Sequence, residues 1–146
     1  AGNLTFPLSE THKKTQVVSV ELHPHLAQRS REKMIAEGLS PRRLEVYQAD
    51  VSVFLKRFPL LPDDLVVLDP PRTGAADEVI KNLAHAGVHR LLYVSCHPVT
   101  LARDLQSYIR EGQAQGHRYK LSRVMGFDMF PQTDHVEILA ELKIDS

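Results

Sequence analysis

Short apolar runs rich in β-branched residues alternate with helix-like stretches along most of the chain, and that alternation restricts it to α/β architectures. Gln16 to Glu21 reads QVVSVE, a strand-like run ending in an acid, and a helical stretch follows from about Pro24 to Glu37, closed by Gly38. LEVYQAD (Leu44 to Asp50) precedes the helix-like VSVFLKRF, and LVVLDPP (Leu65 to Pro71) precedes a helix around Ala75 to His85. RLLYVSC (Arg90 to Cys96) leads through Pro98 into a helix from about Val99 to Glu111. Proline suits a first helical turn, where its missing N–H would have no helical partner. The last third changes character. Tyr119 to Phe130 and His135 to Lys143 are strand-like and joined by Pro131 to Asp134, too short a connection for a crossover helix, so they should pair antiparallel. Near-continuous apolar strands separated by helices imply a doubly wound sheet, mostly parallel and covered on both faces, with an antiparallel hairpin at one edge.

At 146 residues, 42% of them hydrophobic, the chain has the size and the core of one domain. Lysine plus arginine balances aspartate plus glutamate at 18 each, so no overall basic field argues for or against nucleic acid. The eight histidines are scattered and none pairs with cysteines at metal-ligand spacing, so no metal is expected. A single cysteine, Cys96, excludes an internal disulfide and fits a reducing compartment, with the cytoplasm as the default location. No window approaches the roughly 20 apolar residues that span a bilayer, so no membrane partner is expected. The chain begins without methionine, at Ala1-Gly2-Asn3, and this reads as a cut rather than a natural start.

Ligands of open α/β sheets bind outside the carboxyl ends of the strands. The residues there are Glu21, Asp50, Asp69 to Arg72 and Cys96 to Pro98, which one continuous sheet would bring to a common rim. Each has a structural alternative. Asp50 suits a helix N-cap. A lone cysteine after a strand is commonly a small buried hydrophobe. Glu137 and Glu141, within HVEILAEL, would both face solvent if that strand lay at the sheet edge.

Three blocks, in this order and spacing, resemble the RNA 5-methyluridine (uracil-C5) methyltransferases: Asp69-Pro70-Pro71-Arg72-Thr73-Gly74, then Tyr93-Val94-Ser95-Cys96-His97-Pro98-Val99-Thr100-Leu101-Ala102-Arg103-Asp104, then Asp128-Met129-Phe130-Pro131-Gln132-Thr133-Asp134-His135-Val136-Glu137. The stretch Gly2 to Leu8 is similar to the tail of that family's glycine-rich cofactor loop, so the resemblance spans essentially the whole chain. It implies a Rossmann-like methyltransferase sheet, S-adenosyl-L-methionine as cofactor, and RNA, transfer or ribosomal, as partner. Residues 1–146 would then be an N-terminally truncated catalytic domain.

The family's chemistry accounts for the residue types. C5 of uracil is too weak a nucleophile to take a methyl group directly, so a cysteine thiolate first adds to C6. A base must later remove the C5 proton. By resemblance Cys96 is the nucleophile and Glu137 the base. Asn3 belongs to the cofactor loop, Glu21 receives the ribose hydroxyls, Asp50 lies near the adenine, and Asp69 stands between the methionine end of the cofactor and the target base. Arg72 holds the strand-end loop or steers RNA. His97 stands where the family more often has asparagine.

The family's central first strand and leading loop glycine would precede residue 1. The slot between the first and third strand-like runs is then expected to close by direct pairing, to be filled by another segment or chain, or to stay open to solvent as a site of self-association. The fragment alone should bind S-adenosylmethionine poorly and not methylate. Two rival readings remain: a catalytically silent methyltransferase-like module that binds RNA or a partner, and a methyltransferase acting on protein or an exocyclic amine through Asp69-Pro70-Pro71.

Overall fold

The structure, a computed structural model, describes residues 4–11, 14–128 and 136–145. Two compact units divide the chain, Ala1–Arg57 and Phe58–Ser146.

The first unit runs α1 (Thr5–Thr11), β1 (Val17–Glu21), α2 (Pro24–Ala36), β2 (Leu44–Gln48) and α3 (Val51–Arg57). β1 and β2 are parallel, with Val17 beside Leu44 and Glu21 beside Gln48. Pro24 opens α2, and Gly38 follows its end at φ 67°, a left-handed conformation that side chains other than glycine's disfavour. Phe6, Ala27, Leu44 and Phe54 are the buried apolar residues of this unit. Helix α1 was not foreseen, since its residues resembled a cofactor loop. A seven-residue helix has little stability of its own, and burial of Phe6 supports it instead.

The second unit contains β3 (Leu65–Leu68), α4 (Asp77–Ala86), β4 (Arg90–Ser95), α5 (Pro98–Ala114), β5 (Tyr119–Phe127) and β6 (Glu137–Ile144). Its sheet has the order β3-β4-β6-β5. β3 and β4 are parallel, while β6 runs antiparallel to both β4 and β5. The hairpin expected from the short connection is therefore present, but its second strand lies inside the sheet and β5 forms the edge. Leu91, Tyr93 and Ser95 on β4 are buried, and opposite them lie Leu142, Ala140 and Ile138 of β6, on the same face because directly opposed residues share one. α4 buries Val79, Ile80, Leu83 and Ala84, and Gly87 ends it at φ 68°. α5 buries Leu101, Asp104, Leu105, Tyr108 and Gly112, a helical stripe that is apolar except for one acid.

Among the described strands β1 pairs only with β2 and β3 only with β4, so one edge of each carries no ladder partner. Within the described residues no helix is long and apolar enough to cross a membrane.

Candidate active site

Cys96 directly follows β4 as a partly exposed free thiol. The chain turns sharply there. Ser95 Oγ accepts from the His97 N–H and lies within donating distance of the His97 carbonyl, 3.1 Å in each case. His97 caps α5, its Nδ1 accepting from the Thr100 N–H at 3.4 Å. Asparagine is among the side chains that favour this capping position, so the imidazole here serves the local purpose an asparagine would.

The antiparallel ladder of β4 and β6 pairs Arg90 with Lys143 and ends with Ser95 beside Ile138. Beyond that last pair come Cys96, where the chain turns, and Glu137, the first residue of β6, so both stand at this end of the ladder. The Glu137 carboxylate has no hydrogen-bond partner among the described residues. Phe127, at the end of β5, is its ladder neighbour on the other side.

Asp69 follows β3 at the same end of the sheet. Leu65 and Val67 pair with Arg90 and Leu92, and the ladder ends at Leu68 beside Tyr93, one residue before Asp69. Asp69 is exposed, yet partial desolvation of its carboxyl raises its pKa above the ordinary aspartate value. Arg72 is also exposed, in the loop that follows.

Glu141, four residues beyond Glu137, does not face solvent as an edge position would. It is 8% exposed. Arg90 donates to its Oε1 through Nε at 3.2 Å and Nη2 at 2.7 Å, Ser122 Oγ donates to Oε2 at 2.9 Å, and Lys143 Nζ lies 3.3 Å from Oε1. The Arg90 hydrogen bonds above all, with those of Ser122 and Lys143, hold its pKa at about 2.

In the first unit, Glu21 ends β1 and Asp50 follows the adjacent strand β2, both at the carboxyl ends. The Ala49 N–H donates to the Glu21 carbonyl at 3.1 Å, which keeps the two ends together. Glu21 Oε1 accepts from the His23 N–H at 3.0 Å, and Oε2 has no partner among the described residues. A carboxylate with one oxygen anchored and one free fits the two O–H donors of a ribose. Asp50 Oδ1 accepts from Ser52 N at 2.8 Å, Ser52 Oγ at 2.5 Å and Val53 N at 3.3 Å, so it caps α3. The Ser52 hydrogen bonds lower its pKa. Its Oδ2 takes part in none of these hydrogen bonds, so the cap and a ligand contact are compatible.

Asn3 lies outside the described residues, as do Gln132, Thr133, His135 and the connection from Pro131 to Asp134. Asp104, which closes the second motif block without an assigned role, is buried in the otherwise apolar stripe of α5. An acid at the spacing of Leu101, Leu105 and Tyr108 is the signal that marks it.

The family described as tRNA (Uracil-5-)-methyltransferase matches residues 51–143. An uncharacterized RNA methyltransferase of Bdellovibrio bacteriovorus is 46% identical over 146 residues, covering 100% of this chain and 36% of that protein. A 23S rRNA (uracil(1939)-C(5))-methyltransferase of Pseudomonas aeruginosa is 38% identical over 141 residues, 95% of this chain and 29% of the relative. The crystal structure of Pyrococcus abyssi tRNA (uracil-54, C5)-methyltransferase in complex with S-adenosyl-L-homocysteine is similar at TM-score 0.73 and 25% identity, covering 94% of this chain and 30% of that one. The chain thus spans 29–36% of the length of these curated relatives. Its fold is the Rossmann-like α/β fold of S-adenosylmethionine-dependent methyltransferases, and the chain belongs to the tRNA (uracil-5-)-methyltransferase family.

Proposed function

We propose that this chain carries the catalytic centre of a cytoplasmic enzyme that methylates C5 of a uridine in transfer or ribosomal RNA through a covalent adduct on Cys96. Residues 1–146 belong to its catalytic domain, and S-adenosylmethionine is the methyl donor. The observation that carries the reading is the β4–β6 register, which runs from Ser95 beside Ile138 toward Cys96 and Glu137 at one sheet end. A uracil-C5 reaction needs a nucleophile and a base close together; a silent binding module needs neither, and amine methylation needs no cysteine.

In this reading the Cys96 thiolate adds to C6, and the C5–C6 π electrons move so that C5 becomes nucleophilic. When bound, S-adenosylmethionine supplies an electrophilic methyl group on a sulfonium. Glu137 then takes the proton from C5, the electrons of that C–H bond restore the C5–C6 double bond, and the Cys96 sulfur leaves C6 with its bonding pair. Asp69 borders the reacting base, Glu21 accepts from the ribose hydroxyls, Asp50 stands toward the adenine, and Asn3 belongs to the loop around the cofactor.

The test is trapping with RNA that carries 5-fluorouridine at its uridines, because fluorine in place of the C5 proton blocks the last step. The full-length enzyme with S-adenosylmethionine should leave a denaturation-resistant protein–RNA adduct. Cys96→Ala should leave none and lose methylation while keeping cofactor binding. Normal turnover by Cys96→Ala, or no adduct with the unaltered enzyme, overturns the mechanism.

A further inference from the structure

We propose that Asp104 is a positioning residue of this site: with Arg103 and Tyr93 it clamps the loop 70–75 to α5 and thereby sets where Asp69 and Arg72 stand relative to Cys96. The inference rests on the function proposed above and adds to it a residue that contacts no reactant.

The β3–β4 ladder ends at Leu68 beside Tyr93, so backbone pairing with β4 does not locate the residues after it. Side chains from the start of α5 do. The Ala75 N–H donates to Asp104 Oδ2 at 2.8 Å and approaches the Tyr93 hydroxyl at 3.3 Å. Arg103 Nη2 donates to the Thr73 carbonyl at 2.9 Å. Thr100 Oγ1 lies 3.1 Å from the Arg72 carbonyl and equally far from that of His97. Asp104 joins these parts. Its Oδ1 accepts from Arg103 Nε at 2.9 Å and Nη2 at 2.7 Å, and its Oδ2 accepts from the Tyr93 hydroxyl.

Asp104 is 2% exposed, on a helix face otherwise given to Leu101, Leu105 and Tyr108. A leucine there would pack without the desolvation penalty of a carboxylate. Only a carboxylate offers two oxygens to donors arriving together from a loop, a strand and its own helix. The loop is seated closely on this group. Gly74 has φ +87°, and an added Cβ would collide with Arg103 Nη2 and stand 2.6 Å from Asp104 Oδ2. Tyr93 lies three residues before Cys96 on β4. One buried carboxylate therefore touches the strand that ends at the nucleophile, the helix that follows it and the loop that follows Asp69. Burial, together with the Asp104 carboxylate, raises the Tyr93 phenol well above its ordinary pKa, so it remains a hydrogen-bond donor.

The experiment is the time course of adduct formation on 5-fluorouridine RNA by the full-length enzyme, read as a rate and as a final trapped fraction. Asp104→Asn keeps the volume but turns an amide N–H toward Arg103 or Tyr93. It should reach the unaltered end point at a rate lowered about ten-fold or more, since displacements of about 1 Å are enough for such losses. Arg103→Met removes a half-exposed guanidinium without opening a cavity and should slow the rate in the same way, with Arg103→Lys recovering most of it. A merely structural role would lower the trapped fraction and the melting temperature while the folded molecules reacted at the unaltered rate, and that result overturns the proposal. If Asp104→Asn does not fold, the Arg103 pair decides alone, and an unaltered rate in Arg103→Met rejects the clamp. Absence of any adduct with the unaltered enzyme is distinguishable from these, and it would take down the mechanism and the clamp together.

Discussion

Glu137 and Glu141 lie on one face of β6, four residues apart, in different surroundings. Arg90, Ser122 and Lys143 occupy the Glu141 carboxylate, whereas Glu137 has no hydrogen-bond partner among the described residues and neighbours the end of β4. A base must keep an oxygen free for the proton it removes, which favours Glu137. Glu137→Gln keeps the size and loses the basicity, so addition and methyl transfer should proceed while release stalls. On ordinary uridine RNA this variant should accumulate a long-lived complex, visible as a shifted band on a denaturing gel. Glu141→Gln should not, and the opposite pattern would reverse the assignment. Glu21→Ala in the full-length enzyme should weaken S-adenosylmethionine about ten-fold, the scale of a lost hydrogen bond to a charged group. An unchanged dissociation constant by calorimetry would remove Glu21 from the site.

Three of the four strands of the second unit are tied together by the cluster around Glu141. Arg90 comes from β4, Glu141 and Lys143 from β6, and Ser122 from β5, where the register shifts between Leu121 and Arg123. Its pH dependence has a definite sign. The folded state holds Glu141 at about 2, below its ordinary 4.5, so it favours the ionised form. The resulting stability is complete above about pH 4.5 and disappears as the pH falls from there toward about 2. Urea midpoints at about pH 6 and about pH 3 should therefore drop more in the unaltered protein than in Glu141→Gln, which should already be less stable at the higher pH. Equal drops would show that the cluster does not contribute.

The candidate cofactor residues Glu21 and Asp50 fall in the first compact unit, and Asp69, Cys96 and Glu137 in the second. Among the described strands, β1 and β2 in the first unit and β3 and β5 in the second each have an edge without a ladder partner. Unpaired edges are where a further strand can add. We predict that a polypeptide of residues 1–146 alone binds S-adenosylmethionine at least about ten-fold more weakly than the full-length enzyme and does not methylate, since the loss of even one charged hydrogen bond costs that much. Micromolar binding by the short polypeptide in calorimetry, or methylation by it, would contradict this.

Most elements are legible in the sequence, because hydrophobic period, glycine and proline act over a few residues. Gly38 and Gly87 end helices, Pro24 and Pro98 begin them, and the three motif blocks identified the family. Cys96, Asp69 and Glu137 were legible as candidates because each sits at a strand end or within a motif. The tertiary structure alone decided the order β3-β4-β6-β5, because insertion of β6 beside β4 depends on ladder bonds between residues far apart in the chain. That insertion brings Glu141 to Arg90 and Glu137 toward Cys96. Helix α1, supported by the packing of Phe6, and the meeting of Asp104 with Tyr93 and Ala75 likewise arise from contacts that no local pattern specifies.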